Sequence, residues 1–71
     1  DQGSEFLMMG LRLKEGVDLR RYEALAGAPL STKKITQMQD IGMISRVQDQ
    51  LFVTEQGFMV LNAILAELLS D

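Results

Sequence analysis

Cysteine, histidine and tryptophan are all absent from this chain of 71 residues, and proline occurs once. Without cysteine there can be no disulfide, no thiolate nucleophile and no thiolate ligand for an iron–sulfur cluster. Without histidine there is no imidazole to serve as a general base near neutral pH. A zinc site would have to be built from carboxylates alone, against the usual preference for nitrogen and sulfur donors. Ser31, Thr32, Ser45 and Thr54 have no histidine to activate them as nucleophiles. Glu15 and Asp18 are close in sequence, but both are explained as helix-end residues. The chain is therefore read as non-catalytic by itself.

Long apolar runs are missing too. No stretch approaches the roughly 20 residues needed to cross a bilayer. The N-terminal stretch does not resemble a secretory signal, because Asp1 and Glu5 flank only a short apolar segment. A cytoplasmic location is expected, and a first residue of Asp rather than Met fits a piece of a longer protein. Basic residues are also few: seven Lys and Arg stand against ten Asp and Glu, a net charge of −3. A duplex-binding domain normally carries a basic face that neutralises phosphates, so the overall field works against DNA.

What the chain does have is apolar content, 46% of its residues. That is enough for one small core and too much for a disordered segment. Residues 1–71 are read as a single domain.

The pattern predicts a first helix from Ser4, as N-cap, to Gly16 as a left-handed terminator. Phe6, Met9 and Leu13 form one apolar stripe on it, and Leu7 and Leu11 a second. Gly10 costs about 1 kcal/mol in a helix interior, so a close neighbour is expected against it. A second helix, capped by Asp18, covers Leu19 to Ala26 and stops at Gly27, with Tyr22, Leu25 and Ala26 on one side. A third runs from Ser31 or Thr32 to Ile41 and stops at Gly42; Leu30, Ile35, Met38 and Ile41 are its apolar face. The period then changes. Met43–Val47 and Leu51–Thr54, rich in β-branched residues and separated by Gln48-Asp49-Gln50, predict a β-hairpin. Thr54 then caps a long last helix, with Phe58, Leu61, Ile64, Leu65 and Leu68 on one stripe and Met59, Ala63 and Ala66 on another. Phe6, Met9, Phe58, Leu61, Leu65 and Leu68 are assigned to the core. The order helix, helix, helix, hairpin, helix is that of a mostly α, α+β winged helix.

Three uses of such a domain can be weighed. As a DNA reader it would offer Lys33, Lys34 and Gln37 from the third helix and Arg46 from the hairpin, unless these are simply a solvated helix face. As a docking module it would use apolar surface left over after the core is filled; Leu7, Met8, Leu11, Met59, Ala63 and Ala66 are candidates. As a heme binder it would have only five methionines and Tyr22 as axial ligands. Methionines at helical spacing are ordinarily core filling.

Two runs carry a family likeness. Glu5-Phe6-Leu7-Met8-Met9-Gly10-Leu11-Arg12, continuing to Gly16-Val17, resembles the E-x-L-M-x-G-L-R-x-x-x-G-I/V stretch that opens the C-terminal domain of HemW-like proteins. Those proteins are close relatives of oxygen-independent coproporphyrinogen III oxidase. Gly42-Met43-Ile44, then Leu51-Phe52-Val53-Thr54-Glu55-Gln56-Gly57 and Leu61-Asn62, are similar to the same family's G-L-I … L-x-L-T-x-x-G … L-N ending. The resemblance implies a parent chain with a partial barrel whose C-x-x-x-C-x-x-C motif holds a [4Fe–4S] cluster and binds S-adenosylmethionine. It implies a role in porphyrin or heme metabolism, as an oxidase or as a heme chaperone. The C-terminal domain would pack beside the barrel and help enclose the porphyrin or heme site. Gly10, Leu11 and Arg12 are the signature positions. For Arg12 two roles stay open, a contact to the barrel or a propionate and an exposed structural arginine. A stand-alone winged-helix DNA-binding regulator is the alternative.

Overall fold

In a computed structural model, residues 1–70 are described. Eight elements follow one another: α1 (Gln2–Gly10), β1 (Val17–Asp18), α2 (Leu19–Ala26), α3 (Thr32–Asp40), β2 (Ile44–Val47), β3 (Gln50–Val53), α4 (Glu55–Phe58) and α5 (Leu61–Leu69). The three strands form one antiparallel sheet in the order β1-β3-β2. The chain is thus mostly helical α+β, as expected.

The two middle helices begin where capping chemistry predicts. Asp18 accepts from the Arg20 and Arg21 amides at 2.9 and 3.3 Å, and Ser31 accepts from the Lys34 amide at 3.2 Å. Each satisfies helix-end donors that would otherwise lack partners. Gly27 ends α2 in the left-handed region, φ 84°.

α1 departs from expectation at both ends. Asp1, not Ser4, is its cap, accepting from the Ser4 amide at 2.8 Å. The helix closes at Gly10 and the chain continues in turns to Gly16. It leaves the helix there because Val17 and Asp18 pair with Leu51 and Gln50, forming a short strand that the sequence pattern did not foretell. Gln50 Nε2 donates to the Glu15 carbonyl at 2.6 Å, and the Leu19 amide to the Asp49 carbonyl at 2.8 Å, so the hairpin is tied on both sides of β1.

Of the stripe Phe6, Met9 and Leu13, only Phe6 packs against the core, and the deepest burial falls on the other stripe. Leu7 and Leu11 are wholly buried, while Met9 is 70% and Leu13 54% exposed. Gly3 explains the choice. It stands one turn before Leu7 on the same face, and its Cα comes so near Ala26 that an added Cβ would collide with that residue's side chain. The Gly3–Leu7–Leu11 line therefore lets α1 approach α2 closely. Gly10 has the close neighbour its cost called for: a Cβ there would lie 2.5 Å from Val17 Cγ2.

The hairpin turn is one residue shorter than expected. Gln48 and Asp49 alone make it, Gln48 with φ 54°, and Gln50 already pairs with Val47. Asp49 draws two cations, Arg20 Nε at 3.1 Å and Arg46 Nη2 at 3.7 Å, fastening the turn to α2.

The single long last helix is two helices. α4 ends at Phe58, Met59 and Val60 form an elbow, and α5 starts at Leu61. Thr54 and Gly57 fix the direction of α4 against the Gly42–Met43 backbone. α5 must then turn to bring Ile64, Leu65 and Leu68 into the core with Leu7, Ile35 and Leu51. Phe58 falls outside that core, 41% exposed, while Phe6, Leu61 and Met38 are half-buried against it.

Candidate docking surface

The sequence-predicted surface residues separate into two groups. Leu7 and Leu11 have no exposure and belong to the interior, so neither can meet a partner while the domain is folded. Gly10 is half-buried and packed on Val17. Met8 (37% exposed), Arg12, Met59 (86% exposed), Ala63 and Ala66 are at the surface. Ala63 and Ala66 lie on one side of α5 at i, i+3 spacing, and Met59 precedes that helix in the α4–α5 elbow.

Further exposed apolar residues escaped the sequence reading. Val60 and Phe58 flank Met59, at 45% and 41% exposure, and Ile41 at the end of α3 is 64% exposed. For Phe58 the cause is the elbow. On one continuous helix Phe58 would share the buried stripe of Leu61 and Leu65, and the break releases it to solvent. Gly42 and Met43, which follow Ile41, are joined to the start of α4 by two contacts. Thr54 Oγ1 lies 2.7 Å from the Gly42 carbonyl oxygen, and Gly57 lies directly against the Met43 carbonyl. Met9 and Leu13, the stripe expected to be buried, make a second exposed apolar strip on and just after α1.

The four residues offered for DNA are not equally free to act. Lys34 Nζ donates to the Ser70 carbonyl and hydroxyl, both at 2.6 Å, holding the end of α5. Arg46 Nε donates to the Gln48 carbonyl at 2.7 Å, and its guanidinium faces Asp49. Lys33 and Gln37 are exposed on α3. Two of the four are thus engaged within the protein, which weakens a phosphate-binding face that was sparse to begin with.

Cofactor chemistry finds little purchase in these residues. There is no cysteine for a cluster, and no group of three or more His, Cys, Asp or Glu gathers among the described residues. The donor set therefore does not fit a [4Fe–4S] cluster. For heme, Tyr22 borders a groove between α2, α3 and α5, together with Pro29, Lys34 and Leu68. No methionine lines that groove, and Met8, Met9 and Met59 point into solvent elsewhere, so no pair of axial ligands is assembled there. No helix among the described residues is long and apolar enough to cross a membrane.

Compared with known families, residues 1–60 match the sequence model of the family described as HemN C-terminal domain. Neither the curated proteins nor the solved structures contain a match.

Proposed function

This chain belongs to the HemN C-terminal domain family, and from that membership we propose that it is the accessory domain of a HemN-like protein, docking on the catalytic portion and helping to close its site. The observation that carries the reading is the exposed apolar surface of a domain that already has a complete core. Among the described residues, twelve hydrophobic residues fill the interior, Tyr22 included, and no charged side chain is buried with them. Yet Met59, Met9 and Leu13 stand more than half exposed, beyond what that core uses. Apolar surface rimmed by polar residues is the ordinary mark of a contact with another protein surface.

The chemistry of the parent would reside in that catalytic portion. A cluster and S-adenosylmethionine, if they serve the reaction, would be held by its residues, and porphyrin or heme is the substrate class the family suggests. This chain's own contribution is shape: a rigid wall, with its hairpin tied down by Asp49 and its last helix tied down by Lys34. The engagement of Lys34 and Arg46 within the domain supports docking over the reading of a DNA groove.

Producing the catalytic portion and this domain as two separate polypeptides tests the proposal. The two should co-purify in a one-to-one complex. The domain should also run free of duplex DNA in a low-salt gel shift. A domain that ignores the catalytic portion and retards DNA would overturn the reading in favour of a stand-alone regulator.

A further inference from the structure

The groove between α2, α3 and α5 has a volume of about 400 Å³. Tyr22, Leu30 and Leu68, all core residues, form its floor, and the small side chains of Ala26 and Ala28 line it where α2 leads into α3. Tyr22 is 7% exposed, yet its hydroxyl has no hydrogen-bond partner among the described residues. A tyrosine buried to this degree ordinarily finds one. No fully buried polar side-chain atom among them lacks a partner, so the hydroxyl is left at the open space that Tyr22 borders. Asp1 lines the same groove, and it is fixed there. Its carboxylate accepts from the Ser4 amide at 2.8 Å and its carbonyl from the Glu5 amide at 3.1 Å. A residue preceding Asp1 in a longer chain therefore lies one Cα step, about 3.8 Å, from a residue of the groove.

We propose that the segment preceding Asp1 in the HemN-like parent lies extended in this groove and accepts a hydrogen bond from the Tyr22 hydroxyl through a backbone carbonyl. The proposal rests on the accessory-domain reading above, since a C-terminal domain follows its catalytic portion in the chain, and it adds how the two are joined. Tethering selects this occupant. A segment attached at Asp1 meets the groove at an effective concentration in the millimolar range, so modest contacts hold it. A free peptide or a second copy must first offset its lost translational and rotational freedom. The C-terminal side of the groove is already fastened, because Lys34 Nζ holds the Ser70 carbonyl and hydroxyl. A linker seated in the groove couples the orientation of this domain to the catalytic portion, as a wall that closes a site requires.

The test compares two forms of the protein, one extended by the eight residues that precede Asp1 in the encoding frame and one by eight of Gly and Ser. Eight extended residues reach roughly 26–29 Å, more than the 22 Å shortest extent of the domain. Both forms move the free amino terminus away from α1 equally. The native extension should raise the thermal midpoint by roughly 4–8 °C over the Gly and Ser form. It should also shift the amide resonances of Tyr22, Ala26, Leu30 and Leu68. Tyr22→Phe keeps the ring in the core and removes only the hydroxyl. It should leave the midpoint of the Gly and Ser form nearly unchanged, the hydroxyl having no partner to lose, and remove most of the native gain. Equal midpoints and equal resonances for the two extensions would overturn the proposal, as would a native gain that Tyr22→Phe leaves intact. A start codon directly before Asp1 would remove the segment and the accessory-domain reading together. A continuous frame whose native extension behaves as the Gly and Ser one would remove this proposal alone.

Discussion

Thr54 holds the Gly42 carbonyl at 2.7 Å, and through that one hydroxyl the end of α3 is joined to the start of α4. The same oxygen accepts from the Gly57 amide at 3.0 Å and lies 3.1 Å from the Met43 carbonyl, so it serves as helix cap and as interelement tie together. Removing it leaves helix-end and loop groups without partners in a half-buried place. Thr54→Ala should destabilise the domain by about 1–2 kcal/mol, measured by urea unfolding. Thr54→Ser, which keeps the hydroxyl, should recover most of the loss.

Leu11 and Leu13, in the turns just after α1, predict opposite outcomes. Leu11→Ala empties a site with no exposure and should cost about 2–5 kcal/mol, a large part of what a small domain has. Leu13→Ala, at a position 54% exposed, should stay within about 0.5 kcal/mol of wild type. Equilibrium unfolding of the pair checks this directly. Leu7→Asp and Leu11→Asp, which on sequence alone would be chosen to break docking, should instead unfold the domain, visible as loss of a cooperative transition.

Gly57 stands where a side chain has no room. A Cβ would collide with the Met43 carbonyl and crowd Val53 Cγ1 at 2.7 Å. Gly57→Ala should therefore lower stability by about 1–3 kcal/mol, the range for overpacking, even though alanine is the better helix former. A thermal midpoint above that of wild type would contradict the close approach.

α5 lies beyond the matched residues 1–60, yet it supplies Ile64, Leu65 and Leu68 to the core. Each such side chain contributes about 1.5–3 kcal/mol on burial. A protein ending at Val60 should fail to fold, giving collapsed amide dispersion in a proton–nitrogen NMR spectrum. A well-dispersed spectrum from that truncation would show that α5 is an appendage.

Local signals were legible where one residue sufficed to set them. Asp18, Ser31 and Thr54 as caps, and Gly27 and Gly42 as stops, could be read directly because capping depends on the nearest few residues. β1 was hidden because two residues have no period, and only pairing with Leu51 and Gln50 makes Val17 and Asp18 a strand. The face of α1 was misjudged because Phe6, Met9 and Leu13 outweigh Leu7 and Leu11 in apolar bulk. Burial was instead decided by Gly3 and its fit against Ala26. The elbow was hidden for a similar reason: Phe58 keeps helical spacing with Leu61 and Leu65, and the direction of α4 is set by the distant Gly42–Met43 backbone. The docking candidates shifted accordingly. Met59, Ala63 and Ala66 remain at the surface, while Leu7 and Leu11 move inside.

The central claim, an accessory domain of a HemN-like parent, is tested most directly by sequencing the encoding locus upstream of Asp1. The account predicts an open frame continuous with Asp1 that encodes a C-x-x-x-C-x-x-C motif. A start codon immediately before Asp1 would contradict it and make this domain an independent protein.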